Sequence, residues 1–115
     1  MKDPVSQIVI IYSAIACFGA FIGLLLFRRA IPPNHLCGFR FRQSFASEEA
    51  WYDINARGGV FLMIWSAVLE LLMVIMLAID PRPDSIEFKF LAASPVVLII
   101  PGLQAWLYAH QGPKQ

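Results

Sequence analysis

Four side chains in one short stretch, Asn34, Arg40, Trp51 and Asn55, carry most of the recognisable chemistry of this 115-residue chain. Arginine offers a planar fork of five N–H donors that fits carboxylate or phosphate, and asparagine offers donors and acceptors together. Tryptophan adds a large amphipathic face. Such a set can hold a ligand. It can equally hold a loop together, with Arg40 held by a carboxylate, Glu49 or Asp53 first, or by backbone carbonyls, the asparagines capping turns and Trp51 partly buried at the membrane interface against the loop. A fifth residue, Glu70, is the lone carboxylate of a long apolar run. A charge at the bilayer centre costs about 2.5–3.5 kcal/mol on insertion scales, so Glu70 should face other helices, be protonated, or both. Depth counted from the helix ends puts Tyr12, Ser13, Cys17 and Ser94 near its level, with Ser66 one turn away on its own helix.

The elements that position these residues are apolar helices. Ile8 to Phe27 contains no charged residue, and Gly58 to Ile79 contains only Glu70. Each run matches the ~20 residues a helix needs to cross a ~30 Å hydrocarbon layer. A third run, Phe88 to Tyr108, is interrupted by Lys89, Ser94, Pro95, Pro101, Gly102 and Gln104. With 58% apolar and 15% charged residues and a mean hydropathy of +0.64, the reading is an all-α membrane protein. Its three transmembrane helices cover about 6–28, 58–79 and 88–109, with a structured loop over 29–57, in a single domain over 1–115. The first run exceeds the ~7–15 residues of a signal-peptide core and lacks a small-x-small cleavage site after Phe27, so it is expected to be retained.

Arg28, Arg29, Arg40, Arg42, Arg57 and Lys114 fall on one side of this arrangement, and Lys2, Arg82 and Lys89 on the other with Asp80, Asp84 and Glu87. The six-to-three split predicts a cytoplasmic loop and C-terminus and an external N-terminus. A formal net charge of +1 implies no bulk attraction to nucleic acid.

Local signals refine the picture. Ala16, Gly19, Ala20 and Gly23 follow i, i+3, i+4, i+7 spacing, which makes one face of the first helix smooth enough for close contact within the chain or with a second copy. Pro32 and Pro33 are expected to stop that helix after Ile31, and Asn34 and Gly38 suit a tight turn. Ser47 followed by Glu48 and Glu49 reads as a helix start. A short interfacial helix is therefore expected from Glu48 to about Arg57, leading through Gly58 and Gly59 into the second span. Pro95 and Pro101 should bend or break the third helix and free backbone carbonyls. Cys17 and Cys37 differ in depth and are not expected to pair. His35, Cys37 and His110 share one side without a metal-ligand spacing, so no metal site is expected.

Ile31-Pro32-Pro33-Asn34, Gly38-Phe39-Arg40, Ser47-Glu48-Glu49-Ala50-Trp51, Asn55 and Gly58-Gly59 occur in an order and spacing that resembles the SdpI family of small bacterial membrane proteins. The resemblance spans about residues 25 to 79. It departs at Arg40, which is followed by Phe41 and Arg42 where the family commonly has Thr-Pro. The resemblance implies a multi-pass protein of the bacterial inner membrane that confers immunity to a secreted peptide toxin, with a further signalling role in capturing a repressor.

The residues themselves show no phosphate-cradling glycine loop, no paired metal-binding histidines and no nucleophile matched with a base. An enzyme is therefore not expected, and no cofactor is called for. Two other classes fit the arginine-rich loop: an accessory subunit docking on a larger membrane complex, and a lipid-headgroup-binding or transport protein that uses Arg28, Arg29, Arg40 and Arg42 against anionic groups. Expected partners are membrane lipids, a peptide toxin, a membrane protein or a second copy of the chain.

Overall fold

A computed structural model of the chain describes residues 3–111, all of whose regular elements are helical. Lys2 and Lys114, counted above for sidedness, lie outside the described residues. Helix α1, Pro4–Phe27, starts with proline at its first turn, where the missing N–H is no loss, and is capped by Asp3, which accepts from the Ser6 N–H at 3.0 Å. That bond holds the Asp3 carboxyl below the usual carboxylate range.

The end of α1 differs from expectation. The helix stops at Phe27, ahead of the two prolines, through a reversal in which Arg29 adopts a left-handed conformation (φ 59). Its N–H donates to Leu26 O and that of Ala30 to Leu25 O, the bonding of a Schellman-type cap. Pro32 and Pro33 extend a chain that has already left the helix.

After a short 3-10 helix over Arg42–Phe45, which was not anticipated, Ser47 caps helix α2 by accepting from the Ala50 N–H at 2.9 Å. The expected helix start at Glu48 is present, but no separate interfacial helix exists. Helix α2 runs unbroken from Glu48 to Ile79 for 32 residues, about 48 Å at 1.5 Å per residue. That exceeds the hydrocarbon thickness, so the first turns of α2 continue the second span beyond it. Gly58 and Gly59 do not interrupt the helix because both are seated against neighbours. A Cβ on Gly59 would strike Gly23 O and, at 2.9 Å, Phe27 N, and one on Gly58 would strike the Phe39 ring.

The third span is segmented: α3, Ile86–Ala92, a 3-10 turn over Ser94–Leu98, and α4, Ile99–Ala109. Pro95 opens the 3-10 turn and makes the break. Pro101 does not break the helix, because it falls within the first turn of α4, where N–H groups have no helical partner. The segments Pro4–Phe27, Glu48–Ile79 and Ile86–Ala109 are each long and apolar enough to cross a membrane.

Helix α2 is the central element, with α1 on one side and the third span on the other. Gly19 and Gly23 of α1 face it at backbone distance: a Cβ on Gly23 would lie 2.7 Å from Gly59 O, and one on Gly19 would lie 2.5 Å from Ser66 Oγ. Ala16 is buried in the same face, and Ala20 is half-buried. Small residues give this closeness, which replaces the hydrophobic drive that lipid does not supply. Ala16, Leu69 and Met73 form a core with Val5, Met76 and Leu91. Ile10, Phe18, Phe21, Leu71, Leu77 and Phe90 are exposed on the outside, as a lipid-facing surface requires.

Candidate functional site

The loop between α1 and α2 is irregular backbone, and where irregular backbone is buried its polar groups need partners from within the chain. Asn34 does this locally: its Oδ1 accepts from the Leu36 and Cys37 N–H groups, each at 2.7 Å, and its Nδ2 donates to Pro32 O at 2.7 Å. Gly38 then turns the chain at φ 113, a left-handed value that glycine adopts without penalty. A side chain there would also strike Asn55 Oδ1 and the Trp51 ring.

Asn55 is the clamp. Its Oδ1 accepts from the Phe39 N–H at 2.5 Å, and its Nδ2 donates to Phe39 O at 3.3 Å and to Trp51 O at 3.0 Å. One buried amide thus reads both backbone groups of Phe39 and ties the loop to α2. The Phe39 ring drops against Gly58, which has no side chain to exclude it. Ser44 adds a second tie, donating to Phe39 O at 2.7 Å and accepting from the Phe41 N–H at 3.3 Å. Ser44 is fully buried, and nothing in its sequence context marks it.

Trp51 packs against the loop as expected, and is fully rather than partly buried. Its Nε1 donates to Ile31 O at 2.9 Å, and its ring lies 5.4 Å from that of Phe45, which stacks on His35 at 5.5 Å. The free end of the irregular chain is therefore pinned at Ile31, Phe39 and Ser44.

Arg40 is held by a backbone carbonyl, one of its two expected kinds of partner, and not by a carboxylate. Its Nη1 donates to His35 O at 2.6 Å on an exposed surface, and among the described residues no carboxylate lies within ion-pair distance of it. Glu49 and Asp53 cannot serve, because residues two apart on a helix point to nearly opposite sides, and Trp51, two residues from each, bonds the loop at Ile31 O. Asn55 turns toward the loop, and Asp53 therefore turns away. Asp53 instead accepts from the Tyr108 hydroxyl at 2.9 and 3.0 Å, and the Arg57 guanidinium carbon sits 4.9 Å from the centre of the Tyr108 ring. This Asp53–Tyr108–Arg57 group joins the start of α2 to the end of α4. Asp53 and Arg57 share an i, i+4 face, but Tyr108 is too far from them in sequence to have been paired by spacing.

The level of Glu70 forms a second polar region. Ser13 Oγ donates to Glu70 Oε2 at 3.3 Å, linking α1 to α2 inside the span. Glu70 Oε1, Ser66 Oγ and Ser94 Oγ are buried without a hydrogen-bond partner among the described residues. Tyr12 is directed elsewhere: it donates to Ala92 O at 2.7 Å. That carbonyl is free because, at the proline break, the Val96 N–H turns to Ala93 O instead. Cys17 faces outward, Cys37 is half-buried, and neither is in a disulfide. Among the described residues no three histidine, cysteine or carboxylate side chains gather as a metal site.

The arrangement is a rigid, self-satisfied loop seated on the end of a helical bundle, with a lone carboxylate inside it. The family model described as the SdpI/YfhL protein family matches residues 30–110 of the chain. No curated protein and no solved structure matches it.

Proposed function

Because the chain belongs to the SdpI/YfhL protein family, we propose that it is an immunity or resistance protein of the bacterial inner membrane. In this reading it protects its host from a secreted peptide toxin by binding the toxin or masking the toxin's membrane target. The role is non-enzymatic. The observation that carries the reading is the extent of the family match, which begins at the foot of α1 and takes in the whole pinned loop and the spans that follow. A loop held at Ile31, Phe39 and Ser44 presents a fixed surface, and a fixed surface binds without the cost of ordering. Deleting the protein and challenging cells with peptides secreted by the source organism and its neighbours is the test. Sensitivity to at least one peptide should rise and return to normal on complementation; unchanged sensitivity to all of them overturns the reading.

We place the loop and the C-terminus in the cytoplasm, on the distribution of basic residues. Leu36 offers the probe, since it is 92% exposed. A Leu36→Cys variant in a Cys37→Ser background should resist an impermeant thiol reagent in intact cells and react once the membrane is opened. Labelling of intact cells reverses the orientation.

A further inference from the structure

Gly102 stands apart from the other described glycines. At Gly19, Gly23, Gly38, Gly58 and Gly59 an added Cβ would come within 3.0 Å of an atom of a neighbouring segment, so each is small for a reason inside the chain. At Gly102 an added Cβ would meet nothing within 4 Å. Yet Gly102 lies inside α4, where glycine costs about 1 kcal/mol relative to alanine. The described residues give no internal reason for it.

The space left by Gly102 belongs to an open cavity of about 620 Å³ between the loop and α4, within the usual range for small-molecule sites of roughly 300–1,000 Å³. Phe39, Phe41, Ile99, Leu103 and Trp106 wall it, and Arg40 stands at its edge. Ile99, Leu103 and Trp106 are all exposed on a membrane-spanning segment. Trp106, near the end of that segment, suits the headgroup level. The only polar interaction of Arg40 in this region is the single bond to His35 O, which leaves most of its fork and its whole charge unopposed among the described residues. Arg42, also exposed, lies two residues on.

We propose that this groove is a specific site for an anionic phospholipid, with one acyl chain lying over Gly102 between Phe41 and Leu103 and the phosphate held by the Arg40 guanidinium. The apolar walls open on the bilayer, and the charge at the rim selects the headgroup. This goes beyond protection against a toxin and does not depend on it.

The test uses the full chain in vesicles of phosphatidylcholine containing a fixed fraction of lipid brominated in its acyl chains, either phosphatidylglycerol or phosphatidylcholine. Bromine quenches nearby tryptophan, and the part of the signal due to Trp106 is the difference from Trp106→Phe. Brominated phosphatidylglycerol should quench Trp106 several-fold more effectively than brominated phosphatidylcholine. Gly102→Leu, which fills the groove from a position with open space, should abolish the preference, as should Arg40→Gln. Equal quenching by the two lipids in the wild-type chain overturns the proposal, and so does a preference that survives Gly102→Leu. Trp106 shielded from both lipids would mean that a protein, a second copy included, covers the groove, and overturns it as well. The wild-type comparison needs no groove variant to fold, so it decides the matter even if Gly102→Leu is lost.

Discussion

At the loop end of the bundle, Asn34, Ser44, Trp51 and Asn55 all direct their polar atoms at backbone groups. At the level of Glu70, by contrast, Ser66 Oγ, Ser94 Oγ and one Glu70 oxygen are buried with no partner among the described residues. The two regions differ in what their backbone demands. The loop is irregular, so its buried N–H and C=O groups must be met by side chains, and the side chains there are used up in meeting them. Around Glu70 and Ser66 the backbone is regular helix and already paired, so the polar side chains are not required by the fold. Polarity that completes the architecture and polarity in excess of it thus lie in separate places. The residues that most resemble a signature are mainly builders, and the capacity for further bonds sits mid-span and at the Arg40 rim.

The comparison predicts opposite responses to losing a polar or small residue in the two regions. The largest effect is expected at Gly59, where α1 and α2 touch backbone to backbone just beneath the loop. Gly59→Val should cost about 3 kcal/mol or more, since overpacking against backbone cannot be relieved by a rotamer. The fraction of protein eluting as a single species in mild detergent should collapse. Next comes the clamp. Asn55→Ala strands the Phe39 N–H and loses three hydrogen bonds, for a loss of roughly 2–4 kcal/mol. Asn55→Asp should be nearly as damaging, because it turns the donor facing Phe39 O and Trp51 O into an acceptor. Heating in detergent and measuring the surviving monodisperse fraction checks both. A clamp variant as stable as the wild type would remove the distinction between the regions.

Mid-span the sign should change. Ser66→Ala deletes a buried hydroxyl that has no hydrogen-bond partner among the described residues, so stability should stay within about 1 kcal/mol of the wild type or rise. Glu70→Gln keeps the shape and an acceptor for Ser13 and should likewise leave the fold intact. If the excess polarity serves the protein's role, Glu70→Gln lowers toxin protection while the thermal profile stays unchanged. A large drop in stability for Ser66→Ala would show that its hydroxyl has a structural partner, and the contrast with the loop would fail.

The spans were legible because their signal is compositional: an uninterrupted apolar run has few alternatives once it is long enough to cross a bilayer. The start of α2 at Ser47 was legible as well, because a cap is a local device. The endings were not. Pro32 and Pro33 announce a stop, yet the reversal at Arg29 comes earlier, and arginine carries no mark of a left-handed position. Gly58 and Gly59 read as a break between two helices, whereas their smallness answers to Phe39 and to α1. Local propensity cannot show a contact made by a distant segment. The same limit applies in part to Arg40: the carboxylates expected for it were near in sequence but on the far side of α2, and of its two expected kinds of partner it took the backbone carbonyl.

Arg40 gives the smallest expected effect on stability and the finest division between building and binding. It lies in the loop region but is exposed, and among the described residues its one polar tie is the bond to His35 O. Arg40→Ala should therefore cost only about 0.5–1.5 kcal/mol, the net value of one solvent-accessible hydrogen bond, against the larger loss at Asn55. Arg40→Lys then separates the two possible uses of the side chain. Holding the loop depends on the geometry of the planar fork, which lysine lacks; attracting an anion depends first on charge, which lysine keeps. If Arg40 mainly builds, lysine should lower thermal stability nearly as far as alanine does. If it mainly binds, lysine should restore most of the preference for phosphatidylglycerol, and the restored preference should weaken as salt is raised. The geometry favours the second result: a guanidinium on the surface with most of its donors uncommitted is poorly placed to stabilise a fold and well placed to meet a phosphate. Full loss of folded protein on Arg40→Lys would put Arg40 among the builders and shift the dividing line to the mid-span residues alone.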